Sequence, residues 1–291
     1  LRCGLGVVLA ACVMTAGAAG APDQEPYAAQ VAAAADAPKQ VFPALDMDRI
    51  ALEDSLADYK GTGGYRFAIA RDVDISPLDH GAWERGADAR WTWRLKVETP
   101  DAVHLNFGFA RFKLPPSARM IIIGADGRAA LGPYTAADQL PTGQLWTQVL
   151  NGSSALIELS VADGEQDQVD VRLSRIGHGH RGLGYLTKHC KSGACNMDVA
   201  CLGDGDPWNA PRRSAGAITI GGTDTCSGSL VNNTNNDRRM LFATATHCGL
   251  NAGNIGSVLV YWNYESPTCR APGSSASGIP TPRPGTTSAG L

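Results

Sequence analysis

The fold is decided by the stretch Trp91-Thr92-Trp93-Arg94-Leu95-Lys96-Val97, in which apolar and polar residues alternate without a break. Successive side chains of a β-strand point to opposite faces, so this period of two predicts a strand with one buried face. Trp91 and Trp93 fall on the same face as each other. This placement favours a core role for both indoles over a role as a ligand platform.

The same period extends outward from this stretch over residues 65–176. Further short strands are predicted where apolar residues recur between turn signals such as Asn151-Gly152 and Asp163-Gly164, namely over residues 105–109, 120–123, 155–161 and 169–173. Several short strands at this spacing are typical of an antiparallel β-sandwich. The chain is therefore predicted to be all-β, with only a loose or helical lead at residues 28–37 and a short amphipathic helix at residues 46–59.

The histidines of this region are predicted to be structural. His80 and His104 have no convincing partner in the sequence, and His178 and His180 lie in a glycine-rich stretch, residues 177–184, that is expected to end the sandwich as a solvated loop. A rival interpretation is a zinc site built from His178, His180, His189, Cys190 and Cys195. No cysteine pair has the C-x-x-C spacing typical of such sites, so neither a metal nor a cofactor is expected.

The N-terminus is typical of an exported protein. Arg2 precedes an apolar stretch from Leu5 to Met14 and a small-residue run containing Ala16-Gly17-Ala18, which predicts a secretory signal peptide over residues 1–18. The rival interpretation is a lipoprotein signal with Cys12 as the lipidated residue. Otherwise no membrane association is expected, and a formal net charge of −3 gives no reason to expect nucleic acid as a partner.

Six cysteines follow the signal, all in the last third of the chain or just before it: Cys190, Cys195, Cys201, Cys226, Cys248 and Cys269. An even set in an exported segment predicts disulfides. Residues 226–231 and 241–245 are predicted to form a hairpin that brings Cys226 and Cys248 together. Their disulfide would fix the neighbouring His247, and general-base catalysis demands such fixing because the imidazole must stay within hydrogen-bond reach of its nucleophile.

Two motifs in this segment carry a resemblance. The run Cys226-Ser227-Gly228-Ser229-Leu230, followed by Thr244-Ala245-Thr246-His247-Cys248, resembles the first-barrel signature of trypsin-like serine proteases. Ala243 departs from that family's usual branched aliphatic residue. Additional runs make the chain similar to bacterial lysyl endopeptidases: Cys195-Asn196-Met197-Asp198-Val199-Ala200-Cys201, Val260-Tyr261-Trp262-Asn263-Tyr264 and Thr268-Cys269-Arg270-Ala271-Pro272.

The resemblance implies a site and a set of disulfides. His247 would be the general base of a secreted bacterial endopeptidase that acts on protein or peptide substrates. Cys226 would pair with Cys248 and Cys201 with Cys269, whereas Cys195 would need a cysteine further along the chain than this sequence extends. Cys190 has no counterpart in the resemblance and is expected to leave with the propeptide.

The resemblance also implies a precursor organisation. Its parts would be a lead segment at residues 19–64, a β-sandwich propeptide at 65–191, the first β-barrel half of a protease domain at 192–278, and a low-complexity tail at 279–291. The propeptide would act as an intramolecular inhibitor or chaperone and be released by cleavage after Lys188 or Lys191. All six lysines of the chain precede Ser192, so a lysine-directed protease would spare the segment beyond it.

The rest of a catalytic triad is not recognisable in this sequence. The mechanism needs an aspartate and a nucleophilic serine beside the histidine, yet Glu265 is the only acid after His247, and no Gly-Asp-Ser-Gly-like run follows. A truncation or a shifted reading frame would explain the tail, and the chain alone is expected to be inactive. The alternative is a non-catalytic, secreted β-sandwich binding module with a degenerate protease remnant.

Overall fold

The computed structural model describes residues 25–60, 65–183, 197–265 and 268–269. Two α-helices lie near the start of this part, α1 at Ala28–Ala33 and α2 at Met47–Lys60. The second confirms the helix expected over residues 46–59. Short 3₁₀ helices occupy several loops: Ala136–Asp138, Gln166–Gln168, Val199–Cys201, Pro207–Asn209, Pro211–Ser214, Thr246–Cys248 and Ile255–Ser257.

Most of the remaining structure is β, as the alternation predicts. The strands as far as Gly179 are β1 Lys39–Val41, β2 Tyr65–Arg66, β3 Ala68–Ile75, β4 Ala82–Arg85, β5 Arg90–Glu98, β6 His104–Lys113, β7 Arg119–Gly124, β8 Ala130–Tyr134, β9 Leu145–Trp146, β10 Leu150–Asn151, β11 Ser154–Ala162 and β12 Asp170–Gly179. The later strands are β13 Ala215–Ile220, β14 Asp224–Val231, β15 Leu241–Thr244 and β16 Leu259–Trp262. The expected all-β class is confirmed.

Two sheets share one core. The first has the order β1-β5-β11-β7-β8, with β4 also on β5, and the second has the order β10-β6-β12-β3, with β9 also on β6. All pairs are antiparallel except β1 with β5. Apolar residues of both sheets form a single buried cluster that includes Leu95, Val97, Leu105, Phe107, Phe109, Met120, Ile122, Ile157, Leu159, Leu173 and Ile176. The two sheets therefore bury their apolar faces against each other.

Both tryptophans of the opening stretch take part in this core. The Trp93 side chain is buried in the cluster, and Trp91 is partly buried against it. Their indole nitrogens also find acceptors: Trp93 Nε1 donates to the His80 carbonyl at 2.6 Å, and Trp91 Nε1 donates to Asp163 at 2.7 Å. A buried indole N–H needs such a partner, so the core role predicted for both residues is confirmed.

The lead segment contributes to this part of the fold more than its composition indicates. Strand β1 adds to the edge of β5 through the pairs Lys39 with Lys96 and Val41 with Glu98. Helix α1 is followed by Ala34, which is buried against Ile123 and Leu156 on the outer face of the first sheet. A three-residue strand is too short to show an alternation of apolar and polar residues, so β1 was not predicted from the sequence.

The expectation for His178 and His180 is wrong. Strand β12 continues through Gly179 because it pairs with both β3 and β6, so His178 lies inside the second sheet and is fully buried. The His180 side chain is 1% exposed, and its Nε2 lies 3.2 Å from Asp54 Oδ2 of α2. His104, on the neighbouring strand, stacks on Phe67, and its Nε2 lies 2.8 Å from the Arg181 carbonyl oxygen.

Burial shifts the titration of these imidazoles. Loss of hydration lowers the pKa of His104 to about 4, with smaller contributions from the nearby His180 and His178. The pKa of His180 is also lowered to about 4, first by burial and then by the charge of Arg66. The unfolded chain therefore binds protons that the folded chain does not, and the free energy of unfolding decreases as the pH falls from 6.5 towards 4.

His104→Gln tests this linkage, because glutamine does not titrate and its amide can still donate to the Arg181 carbonyl. We expect the slope of the unfolding free energy against pH, measured by urea denaturation between about pH 6.5 and 5, to be shallower in this variant than in the parent. The difference is at most about 1.4 kcal/mol per pH unit. Equal slopes in the two proteins would contradict the buried, neutral state of His104.

The third sheet is formed by the C-terminal part of the described chain. Its order is β15-β14-β13-β16, all antiparallel, and β2 pairs with β14. A separate small core lies beneath it, made of Ile218, Ile220, Cys248, Val258 and Val260. Residues 65–66 were expected to start the sandwich, and here they join this third sheet instead. The propeptide and barrel-half roles of these parts stay predictions.

Candidate functional site

His247 lies in a tight turn directly after β15. The 3₁₀ helix Thr246–Cys248 carries it, and Gly249 ends that helix with a left-handed φ of 72°. The imidazole is exposed to solvent. No hydrogen bond joins it to any other residue of the described ranges. The ring is therefore open to a group that approaches from outside the third sheet.

A disulfide fixes the backbone beside this imidazole. Cys226 of β14 is bonded to Cys248, whose side chain is 5% exposed and belongs to the small core. The Thr244 hydroxyl donates to the Ser227 carbonyl at 2.7 Å, which adds a second link between the strands of the hairpin. The residues on both sides of His247 are thus held although its side chain is free. This is the hairpin and the cysteine pair expected from the sequence.

Aromatic packing supports the strand that delivers the histidine. Phe242 of β15 contacts Trp262 of β16 edge to face, with the ring centroids 5.8 Å apart. Tyr261 is 3% exposed and lies in a similar tilted contact with Tyr264 at 6.5 Å. Burial raises the pKa of both tyrosine hydroxyls, that of Tyr264 to about 12. The Tyr-Trp-Asn-Tyr run singled out in the sequence therefore supports the His247 hairpin through the packing of Trp262 against Phe242.

A second disulfide links two distant positions of the described C-terminal segment. Cys201 and Cys269 are bonded across 68 residues of chain, as the resemblance implied. Arg212 lies beside this link: its Nη1 donates to the Val199 carbonyl at 2.9 Å, and its Nε lies 4.0 Å from Glu265 Oε2. Glu265, the one acid after His247 in the sequence, thus faces Arg212.

The other predicted site residues are not all placed by the structure. Cys195, Lys188 and Lys191 lie outside the described residues, as do Cys190 and His189 of the rival zinc interpretation. The ligand atoms of Cys226, His247 and Cys248 lie within 4.8 Å of one another. Both sulfurs are in the disulfide, so they are not available as thiolate ligands for a metal.

Sequence reasoning missed one contact beside the site. The turn between β13 and β14 contains Gly221 and Gly222, both in the left-handed region, and the Gly222 carbonyl accepts a hydrogen bond from Asn106 Nδ2 at 2.9 Å. A Gly-Gly pair between two apolar runs signals a hairpin turn. It carries no signal for a partner 116 residues away.

Two comparisons with known proteins found similar sequences. Residues 189–288 match the family described as "Lysyl endopeptidase, C-terminal domain". Over 214 residues, 68% of the chain, the sequence is 24% identical to "Lysyl endopeptidase" of Pseudomonas aeruginosa. The chain is thus similar to lysyl endopeptidases. The resemblance inferred from the hairpin and its flanking runs is confirmed.

The lysyl endopeptidase-like chain spans 45% of the length of that relative. Within the ranges that the structure describes, no helix is long and apolar enough to cross a membrane. The described part of the match contains both disulfides, the His247 turn and the aromatic run on β16.

Loss of the two disulfides has different expected effects. A cross-link stabilises mainly by restricting the unfolded chain, and the effect grows with the length of the closed loop. The bond Cys226–Cys248 spans 22 residues and Cys201–Cys269 spans 68. We expect Cys226→Ala/Cys248→Ala to lower the free energy of unfolding by about 3 kcal/mol and Cys201→Ala/Cys269→Ala by about 4 kcal/mol.

Urea denaturation measures both effects, with the unfolding of the third sheet monitored through the hydrogen exchange of its amides. The single variants Cys226→Ala and Cys201→Ala serve as controls for loss of the bond without loss of the second side chain. A Cys226→Ala/Cys248→Ala variant as stable as the parent would contradict this expectation, because it would mean that the bond contributes nothing to the free energy of unfolding.

Proposed function

We propose that this chain is the precursor part of a secreted trypsin-like serine endopeptidase and that His247 is its general base. The proposal is carried by one observation: an exposed imidazole lies on a turn whose backbone is fixed by the Cys226–Cys248 disulfide and the Thr244–Ser227 hydrogen bond. A histidine in that state can accept a proton from an incoming nucleophile without rearranging its own backbone. The similarity of the sequence to lysyl endopeptidases supports the same role.

The proposed chemistry is acyl transfer. The imidazole of His247 takes the proton of a serine hydroxyl as that oxygen attacks the peptide carbonyl, and then returns it to the leaving amine. The orienting aspartate and the serine have no assigned residue here, since residues 248–291 contain no aspartate and no Gly-Asp-Ser-Gly-like run around a serine. Glu265 is not proposed for the orienting role, because its carboxylate lies beside Arg212.

Lysine is the proposed residue before the scissile bond. The support is the resemblance to lysyl endopeptidases together with the position of all six lysines before Ser192. A protease with that preference would leave residues 192–291 uncut and would cleave its own precursor after Lys188 or Lys191. Protein or peptide substrates and secretion belong to the same proposal. Residues 65–191 are proposed as the propeptide.

Activity measurements on two proteins test the role of His247. The first is the 291-residue chain, for which we expect no peptidase activity because two triad roles are unfilled. The second is the longest product of the same genomic locus, for which we expect hydrolysis after lysine. In that product His247→Ala should lower kcat by at least about 10⁴-fold, whereas His80→Ala, in the sandwich, should leave it within about twofold.

Either of two results would contradict this proposal. Unchanged kcat in the His247→Ala locus product would remove the general-base role. Lysine-directed hydrolysis by the 291-residue chain, lost in His247→Ala, would show that the chain needs no further residues.

N-terminal sequencing of the processed locus product, for which we expect activity, tests the cleavage site. We expect the mature segment to start at His189 or Ser192, and we expect Lys188→Ala/Lys191→Ala to accumulate as uncut precursor. Lys113→Ala, which removes a lysine from the end of β6, is the matched control and should be processed normally. A mature segment that starts elsewhere would count against self-processing after lysine.

A further inference from the structure

The tip of the β13–β14 hairpin is seated on the sandwich. Residues 220–223 form its turn, closed by the hydrogen bond from Thr223 N to the Ile220 carbonyl at 3.2 Å. Gly221 and Gly222 have φ angles of 60° and 70°, a conformation that glycine adopts without strain. Gly222 is buried, although it lies at a hairpin tip. The surface that covers it belongs to the second sheet.

The carbonyl groups at this tip are satisfied by donors of the sandwich. Asn106 Nδ2 on β6 donates to the Gly222 carbonyl at 2.9 Å, and the Asn106 side chain is itself buried. The Phe67 amide donates to the Thr223 carbonyl at 2.8 Å. Buried hydrogen bonds of this kind are costly to break without replacement. They therefore specify both the position and the orientation of the tip.

Strand β2 extends the contact along one edge of β14. Residues 228–231 of that edge pair with β15, and residues 224–225 pair with β2 through Asp224 with Arg66 and Thr225 with Tyr65. Strand β2 thus covers two of the four residues that β15 leaves unpaired on this edge. The next residue, Cys226, is bonded to Cys248 beside His247.

The side chains of β2 are held by the sandwich side of the molecule. Arg66 forms ion pairs with Asp54 at 2.7 Å and Glu53 at 3.1 Å, both on α2. Arg181 lies over the Tyr65 ring, 5.1 Å from its centroid, and also pairs with Asp54. Strand β2 therefore presents its backbone to β14 from a fixed position, which is the arrangement of β-strand addition.

We propose that residues 222–225, the docking edge, are the surface by which residues 25–183 keep residues 197–269 bound after the connecting segment is cut. This inference rests on the proposed role of the sandwich as a propeptide. The occupant of the surface is the chain's own N-terminal part. Residues 25–183 contain no cysteine, so this part of the sandwich contributes no disulfide to the retained complex.

The docked state leaves the His247 imidazole exposed. The sandwich therefore acts on the hairpin that carries His247 and not by covering the ring. Pairing with β2 covers residues 224–225 on the edge of β14, and the hydrogen bonds to Gly222 and Thr223 hold the turn that leads into this strand. In this way the propeptide serves as a template for the third sheet.

A cleavable version of the full chain tests the proposal. A recognition sequence for a site-specific protease is inserted within residues 184–189, ahead of Cys190, so that the N-terminal piece carries no cysteine after the signal. The folded chain is cut, and the products are passed through a size-exclusion column at falling concentrations. We expect the two pieces to co-elute. Separation of the parent pieces, or precipitation of the C-terminal piece alone, would overturn the docking edge.

Two glycine variants locate the contact within the turn. A Cβ at position 222 would lie 2.2 Å from Asn106 Oδ1, whereas a Cβ at position 221 would have its nearest neighbour 3.6 Å away, at Arg175. Both substitutions place alanine at a similar left-handed φ, so Gly221→Ala is the matched control for backbone strain. We expect the dissociation constant of the pieces to be at least tenfold higher for Gly222→Ala than for Gly221→Ala.

Asn106→Ala alone should weaken the complex, because its hydrogen bond to the Gly222 carbonyl is lost. In the Asn106→Ala background, Gly222→Ala should raise the dissociation constant much less than it does in the parent, because the colliding amide is gone. Equal weakening by the two glycine variants, or the same effect of Gly222→Ala in both backgrounds, would overturn the contact between Asn106 and Gly222. None of these measurements depends on peptide hydrolysis by this protein. Failure of the docking edge is thus distinguishable from failure of the general-base role of His247.

Discussion

The organisation of this protein depends on the shared edge of strand β14. One edge of β14 pairs with β13 over residues 224–229, and the other edge pairs with β2 at 224–225 and with β15 at 228–231. Cys226 lies between those two partners and ties the edge to the turn that carries His247. The histidine, the disulfide and the docking strand are thereby brought together on eight residues of backbone. Each loses its position if β14 slips in register.

A partly buried cluster of charged residues in the sandwich holds strand β2 against this edge of β14. Asp54 of α2 contacts Arg66, His180 and Arg181, and those partners come from the strand that docks and from the end of β12. An acid with two arginines can be buried because the charges are paired, and the neutral imidazoles avoid adding a third positive charge. The cluster thus stabilises β2 in the position that β14 requires, and it does so best at neutral pH.

Local pattern predicted much of the fold and part of the site. The alternation around Trp93 predicts the sandwich, and the two cysteines flanking the hairpin predict the disulfide beside His247. The errors came from long-range contacts. His178 and His180 lie among glycines, which predicted a loop, yet pairing with two neighbouring strands extends β12 through His178 to Gly179, and His180 follows directly. Strand β2 has two residues, too few for any period, and the contact of Gly222 with Asn106 leaves no trace in either segment.

Hydrogen exchange at the amides of Phe67 and Ala68 in the intact chain tests this account most directly. Both amides donate to the Thr223 carbonyl in the structure, at 2.8 and 3.3 Å. If the sandwich and the His247 hairpin are joined through β14, both amides should be protected to about the same degree as the amides of the β13–β14 ladder. Exchange of Phe67 and Ala68 at the rate of an unstructured peptide, with the ladder still protected, would contradict the account.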